Sequence, residues 1–167
     1  EAFMFGLFRK KPKEVGNQYA YAPGTKIAFD PELVGGLKDD HQKLLDLYTK
    51  VCAYYDKQDL DNLKNTLLNF KVELTSHLLR ENTKLYVYLK SKFDADPNNR
   101  ELVTDMQREM GKIGHDVFQF LRDASQPNMV FDSAFKAQLD QIGNILVTRI
   151  KAEEEMLYEL YTPIEAA

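Results

Sequence analysis

Apolar residues return every three or four positions along four long stretches of the chain, and each stretch is bracketed by residues that start or stop helices. The first carries Val34, Leu37, Leu44, Tyr48, Val51 and Tyr55, and the second Leu63, Leu67, Phe70, Leu74 and Tyr88. The third carries Val103, Met106, Met110, Ile113, Val117 and Leu121, and the fourth Phe135, Leu139, Ile142, Leu146, Met156 and Leu160. This spacing gives a helix one apolar stripe, whereas a half-buried strand would alternate every second residue, a pattern with no support here.

Local signals set the boundaries. Asp30 before Pro31 reads as an N-cap followed by proline at the first helical position, opening a helix that runs to about Lys57. Asp59 or Asp61 can cap the second helix, which continues to about Phe93. The turn DADPNN, residues 94–99, separates it from a third helix with Pro97 near its start and an end near Ala124, where Gln126, Pro127 and Asn128 break the chain. Asp132 can cap the fourth helix and Pro163 ends it. Four amphipathic helices joined by short turns predict an all-α fold, an antiparallel up-down-up-down four-helix bundle over residues 30–162. Residues 1–29 contain Pro12, Gly16, Pro23 and Gly24 and predict an irregular N-terminal arm whose Tyr19, Tyr21, Ile27 and Phe29 pack on the body. Residues 163–167 form a short C-terminal tail.

The stripes are not purely apolar. His41 falls in the first row, His77 and Glu81 in the second, and Arg149 and Glu153 in the fourth. His77 and Glu81, four residues apart, share one helix face. The stretch 76–89 has a twin at 148–161 with a constant offset of 72, which matches Glu81 with Glu153, Leu85 with Leu157, Tyr86 with Tyr158, and His77 with Arg149. The histidines His41, His77 and His115 lie one in each of the first three helices at separations of 36 and 38 residues, with 34 more to Arg149. In an antiparallel bundle, near-equal spacing returns each to a similar height. Polar residues buried at one level must satisfy one another, and imidazole and carboxylate donors suit iron, zinc or manganese. A metal site is therefore expected. At 100° per residue His115 lies off the centre of its own row. It faces inward if its helix is rotated toward the second helix or distorted near Gly111 and Gly114; otherwise it is a surface residue.

Composition narrows the classes. At 167 residues, with 44% hydrophobic and 29% charged residues, the chain is sized and balanced as one soluble globular domain. Against 26 acidic residues stand 22 basic ones, a net charge of −4, and no helix carries a basic stripe, so a nucleic-acid partner is not expected. The lone Cys52 excludes an internal disulfide and reads as a small core residue, and the expected location is cytoplasmic. No apolar run approaches the ~18 residues of a transmembrane helix. The segment from Met4 to Phe8, followed by Arg9, Lys10, Lys11 and Lys13, would suit weak docking on a membrane surface, although a flexible or core-packed tail is preferred. No phosphate-binding loop and no Ser/His/Asp or Cys/His nucleophile is apparent, so an enzyme reading finds no dedicated acid or base.

Taken together, LKDDHQKLLDLY, HLLRENTKLY, GHDVFQFL and RIKAEEEMLYELY resemble the hemerythrin-like, HHE cation-binding domains, over roughly residues 30–161. The resemblance implies metal ligands at His41, His77, Glu81, His115 and Glu153. It also implies two irons bridged by the glutamates, with an open position for dioxygen, nitric oxide or peroxide. Arg149 stands where the resemblance requires a fourth histidine, and a protonated guanidinium cannot ligate a metal. Three outcomes are open. Arg149 replaces one metal's charge, pairs with Glu81 and Glu153 and leaves a single-metal site of His77, His115 and one or both glutamates; it locks both carboxylates in a metal-free ion-pair network; or it swings away while a neighbour such as Glu154 or water completes a di-iron site. The expected function is a non-haem iron protein that binds or senses dioxygen or a related small ligand. The alternative is a metal-free four-helix bundle acting as a regulatory or protein-interaction module.

Overall fold

The computed structural model describes residues 19–164. The helices are α1 (Leu33–Asp56), α2 (Leu60–Arg80), α3 (Tyr86–Lys92), α4 (Pro97–Ala124) and α5 (Ser133–Ala152). A π-helical turn, Glu81–Leu85, joins α2 to α3 into one rod; a second, Glu153–Leu157, prolongs α5 and is followed by a 3-10 turn, Tyr158–Leu160. The four rods pack as a four-helix bundle in which α1 touches α2 and α5, and α4 touches α3, α2 and α5.

Two of the four starts use the expected caps, Asp59 and Asp132, and a third adds Asp96 just ahead of the expected Pro97. Asp59 accepts from the Asn62 amide, Asp96 from the Asn99 amide with Pro97 opening α4, and Asp132 from the Ala134 and Phe135 amides. α1 begins later than Asp30-Pro31 predicts. Its N-cap is Glu32, without a side-chain bond, while Asp30 Oδ1 accepts from the Glu32 amide at 3.0 Å and closes a turn ahead of the helix.

The core is split into two apolar clusters. One holds Leu44, Leu63, Phe70, Val117, Phe135 and Leu139 among others; the second holds Leu37, Leu85, Leu89, Val103, Met106 and Leu157. His41 lies between Leu37 and Leu44, His77 and Glu81 between Leu74 and Leu85, and Arg149 and Glu153 between Ile142 and Leu157. Each rod except α4 thus crosses the same level with ionisable groups, and all five of these side chains are buried. Close helix approach is helped by Gly143, where a Cβ would come within 2.8 Å of Tyr48 Cε1.

The two π turns correct the expected stripes. In each, an amide bonds five residues back, from Tyr86 to the Glu81 carbonyl and from Tyr158 to the Glu153 carbonyl. The extra residue rotates everything downstream relative to a 3.6 repeat. Leu85 and Tyr86 turn inward while Lys84 stays exposed, and Leu157 and Tyr158 turn inward while Met156 is 48% exposed. Both π turns begin at a buried glutamate, so the offset of 72 is preserved in three dimensions as well as in sequence.

The segment before α1 folds over the second cluster. Tyr19 meets Phe29 edge-on, and Phe29 stacks on Tyr161, whose hydroxyl accepts from the Asp30 amide at 2.9 Å. Ala22 is buried; Tyr21, expected to pack, is exposed. The apolar and basic residues 4–13 lie outside the described residues. No described helix is long and apolar enough to cross a membrane.

Candidate metal centre

His41 Nε2 lies 3.0 Å from Glu153 Oε2, and His77 Nε2 lies 3.6 Å from Glu81 Oε1. The two rings are 4.7 Å apart. Each ring turns its other nitrogen toward an outer carboxylate. His41 Nδ1 lies 2.8 Å from Glu154 Oε1, so both ring nitrogens of His41 face carboxylates. His77 Nδ1 stands 3.6 Å from Asp40 Oδ2, too far for a hydrogen bond, so the contact is electrostatic. Asp40 is held by Arg80 Nη1 at 2.6 Å, and Arg80 fits there because Gly36 has no side chain in its way.

Two tyrosines enter the same level from the ends of the π turns. Tyr158 donates to Glu81 Oε1 at 2.9 Å, touches His41 Nε2 at 3.2 Å and stacks on the His41 ring. Its twin Tyr86 accepts from Arg149 Nη2 at 3.1 Å. Both hydroxyls are buried in the centre, carried inward by the π register. Arg149 is 5% exposed; its Nε donates to Glu153 Oε1 at 2.6 Å and its Nη2 to the Met106 carbonyl at 2.8 Å.

Burial pushes the Glu81 carboxyl up to about 8, and the nearby Glu153 carboxylate acts in the same direction. Burial and the adjacent His41 push His77 down to about 4. Burial alone would lower His41 as well, but its bonds to Glu153 and Glu154 outweigh that and raise it. Burial alone would raise Glu153, yet His41 and Arg149 hold it below the ordinary carboxylate value. The two twin glutamates are thus driven apart, one ionised and one holding a proton at neutral pH.

One ligand atom each from His41, His77, Glu81 and Glu153 lie within 4.8 Å of one another, and all four residues are buried. A single ion with bonds of about 2.0–2.2 Å can span such a group after a small inward adjustment. Two buried atoms of the set, His77 Nδ1 and Glu81 Oε2, have no hydrogen-bond partner. An unpartnered carboxylate oxygen in a fully buried residue is costly unless something else binds it.

Residues 33–161 match the family model of the hemerythrin HHE cation-binding domain. The chain belongs to that family. Comparison with curated proteins and with solved structures returned no match. HHE domains bind metal cations, and this HHE domain brings together a His/Glu group that can hold one.

The HHE pattern is not carried over whole. His115 is exposed on α4, because the helix runs regularly through Gly111 and Gly114 without the distortion that would turn the ring in. α4 meets the centre through the Met106 carbonyl, which accepts from Arg149 Nη2. Arg149 pairs with Glu153 and makes no bond to Glu81, so neither the pairing with both glutamates nor the swing outward describes it. The imidazole beside His77 is His41, not His115. The sequence reading also omits Asp40 and assigns Glu154 no definite place; the only local hint is that each adjoins a site residue in the chain.

Proposed function

We propose that this HHE domain binds non-haem iron through His41, His77, Glu81 and Glu153 and, through the iron, dioxygen or a related small molecule. The observation that carries the reading is the convergence of two imidazoles and two carboxylates within 4.8 Å in a buried layer. A mixed nitrogen and oxygen donor set suits iron, manganese or zinc, and bundle cores use it for oxygen-reactive metals. When bound, iron would supply a redox-active open position. The chain's own groups do the rest. Glu154 orients His41, Asp40 with Arg80 faces His77, Tyr158 steadies Glu81, and the two apolar clusters keep bulk water from the layer. A cytoplasmic setting belongs to the same proposal, since Cys52 needs no oxidising compartment.

The test is anaerobic loading of the metal-free protein with Fe(II), desalting, metal analysis, and a visible spectrum before and after dioxygen or nitric oxide. Retained iron with a gas-dependent spectrum is expected. Failure to retain any iron, manganese or zinc would reject the reading. It would favour the second one, a metal-free interaction module, which has its own support in the Arg149–Glu153 ion pair already neutralising one carboxylate.

Cation affinity should rise with pH. The ion needs Glu81 as a carboxylate and His41 with a free Nε2, while both groups are shifted toward their protonated forms. Binding therefore releases protons, and affinity should climb between about pH 6 and 8. Calorimetry in two buffers of different ionisation enthalpy measures this directly; zero proton release at pH 7 would contradict the protonated Glu81.

A further inference from the structure

We infer that the Arg149 guanidinium permanently takes the place of a second cation, so that the centre holds one metal ion and its two twin halves do different work. This rests on the cation-binding reading above and specifies it. The internal repeat supplies the argument. Glu81 and Glu153 each open a π turn, and Tyr86 and Tyr158 each close one with the hydroxyl turned into the centre. A duplicated scaffold of this kind offers two equivalent half-sites. Around Glu81 the half-site keeps its histidine, His77. Around Glu153 the equivalent position is Arg149, and α4 contributes no imidazole because His115 faces solvent.

The α4 and α5 half thus supplies no imidazole of its own, the one beside Glu153 being His41 from α1, and the place of the missing donors is taken by a charged group hydrogen-bonded through Nε and Nη2. Arg149 uses Nε on Glu153 Oε1 and Nη2 on Tyr86 and the Met106 carbonyl, while Nη1 lies 3.6 Å from the exposed Glu109 carboxylate. Glu153 is split in consequence. Its Oε1 is committed to the guanidinium and only Oε2, beside His41, is left for an ion. Glu81 keeps Oε2 unpartnered while its Oε1 accepts from Tyr158, and no fixed positive charge bonds either oxygen. A second metal ion would have to share Glu153 Oε1 with a fixed positive charge and would find no imidazole, so the residues fit one ion and not two. The guanidinium supplies to Glu153 the neutralisation that a second ion would otherwise give, without exchange and without redox change.

The experiment is a titration of the full-length metal-free protein with Co(II) and, anaerobically, with Fe(II), read by metal analysis after desalting and by electron paramagnetic resonance of the Co(II) form. One ion per chain, with the signal of an isolated Co(II), is expected. Two tightly held ions per chain, or a magnetically coupled pair, overturns the inference while leaving the cation-binding reading intact. No retained ion overturns that reading and takes the inference with it. The His115→Ala variant gives a second arm: unchanged stoichiometry and affinity are expected. A loss of more than about tenfold, the size seen when a ligand's support is removed, would place His115 in a second site and sink the inference.

Discussion

Replacing Arg149 by methionine should cost the metal-free protein about 3–5 kcal/mol at pH 7, the usual result of removing one partner from a buried ion pair. For a chain of this size that corresponds to a fall of roughly 10 °C in melting temperature. Methionine keeps much of the length of the side chain but none of its donors. It leaves Glu153 Oε1, the Tyr86 hydroxyl and the Met106 carbonyl without the contacts they have now. The pH dependence identifies the cause. In the native protein Glu153 is held below its ordinary value, so its stabilising contribution is present above about pH 4.5 and lost as pH falls through the depressed folded value. In the variant that contribution is weakened, so the gap between the two proteins should be widest near neutrality and narrow on acidification. Urea unfolding at pH 4 and pH 7 measures both. A loss below about 1.5 kcal/mol at pH 7, typical of a tolerated volume-conserving swap, would mean that the guanidinium only fills space. Adding Glu153→Gln to the variant should restore part of the loss, because both charges then leave together.

Glu81→Gln should separate binding from stability. Cation affinity should fall more than about 100-fold, beyond the effect of disturbing a ligand's supporting partner, since the amide removes the negative charge of a fully buried ligand. Metal-free stability should move the other way. Glu81 has a folded pKa of about 8 against an ordinary 4.5, so between these values the folded state holds a proton that the unfolded state has lost. Stability due to this group is intact below about pH 4.5 and is lost as pH rises toward 8. Glutamine mimics the protonated acid and removes that penalty. Unfolding curves of the two proteins should agree in acid and diverge as pH increases, with the variant more stable at pH 8. His77, lowered to about 4, acts oppositely below its ordinary 6.5 and offsets Glu81 between about pH 4.5 and 6.5, so the divergence is read most clearly above that window. Retained affinity within about tenfold would remove Glu81 from the ligand set.

The centre illustrates how one scaffold is made asymmetric. Backbone and tyrosines are duplicated, while charge is not: one glutamate is ionised against arginine and the other is kept protonated by burial and by its twin. The layer also divides the apolar core, so each change to it is felt as both a packing and an electrostatic event.

The sequence by itself determined the four helices and most of their ends, because caps such as Asp59, Asp96 and Asp132 act on amides two or three residues away and leave a local signature. It also determined that His41, His77, Glu81, Arg149 and Glu153 interrupt apolar rows, since burial follows the 3.6-residue period until a helix departs from it. The departures were decided only in three dimensions. A π turn has no period of its own to read, and its cost is offset by what it buries, so Leu85 enters the core, Leu157 replaces Met156, and Tyr86 and Tyr158 bring their hydroxyls to Arg149 and Glu81. The same holds for pairings across the bundle. Glu154 reaches His41 over 113 residues, and Asp40 faces His77 from a different helix. His115 shares the sequence spacing of a ligand, but the rotation of α4 about its own axis is set by the packing of Val103, Met106 and Val117 and leaves its ring in solvent.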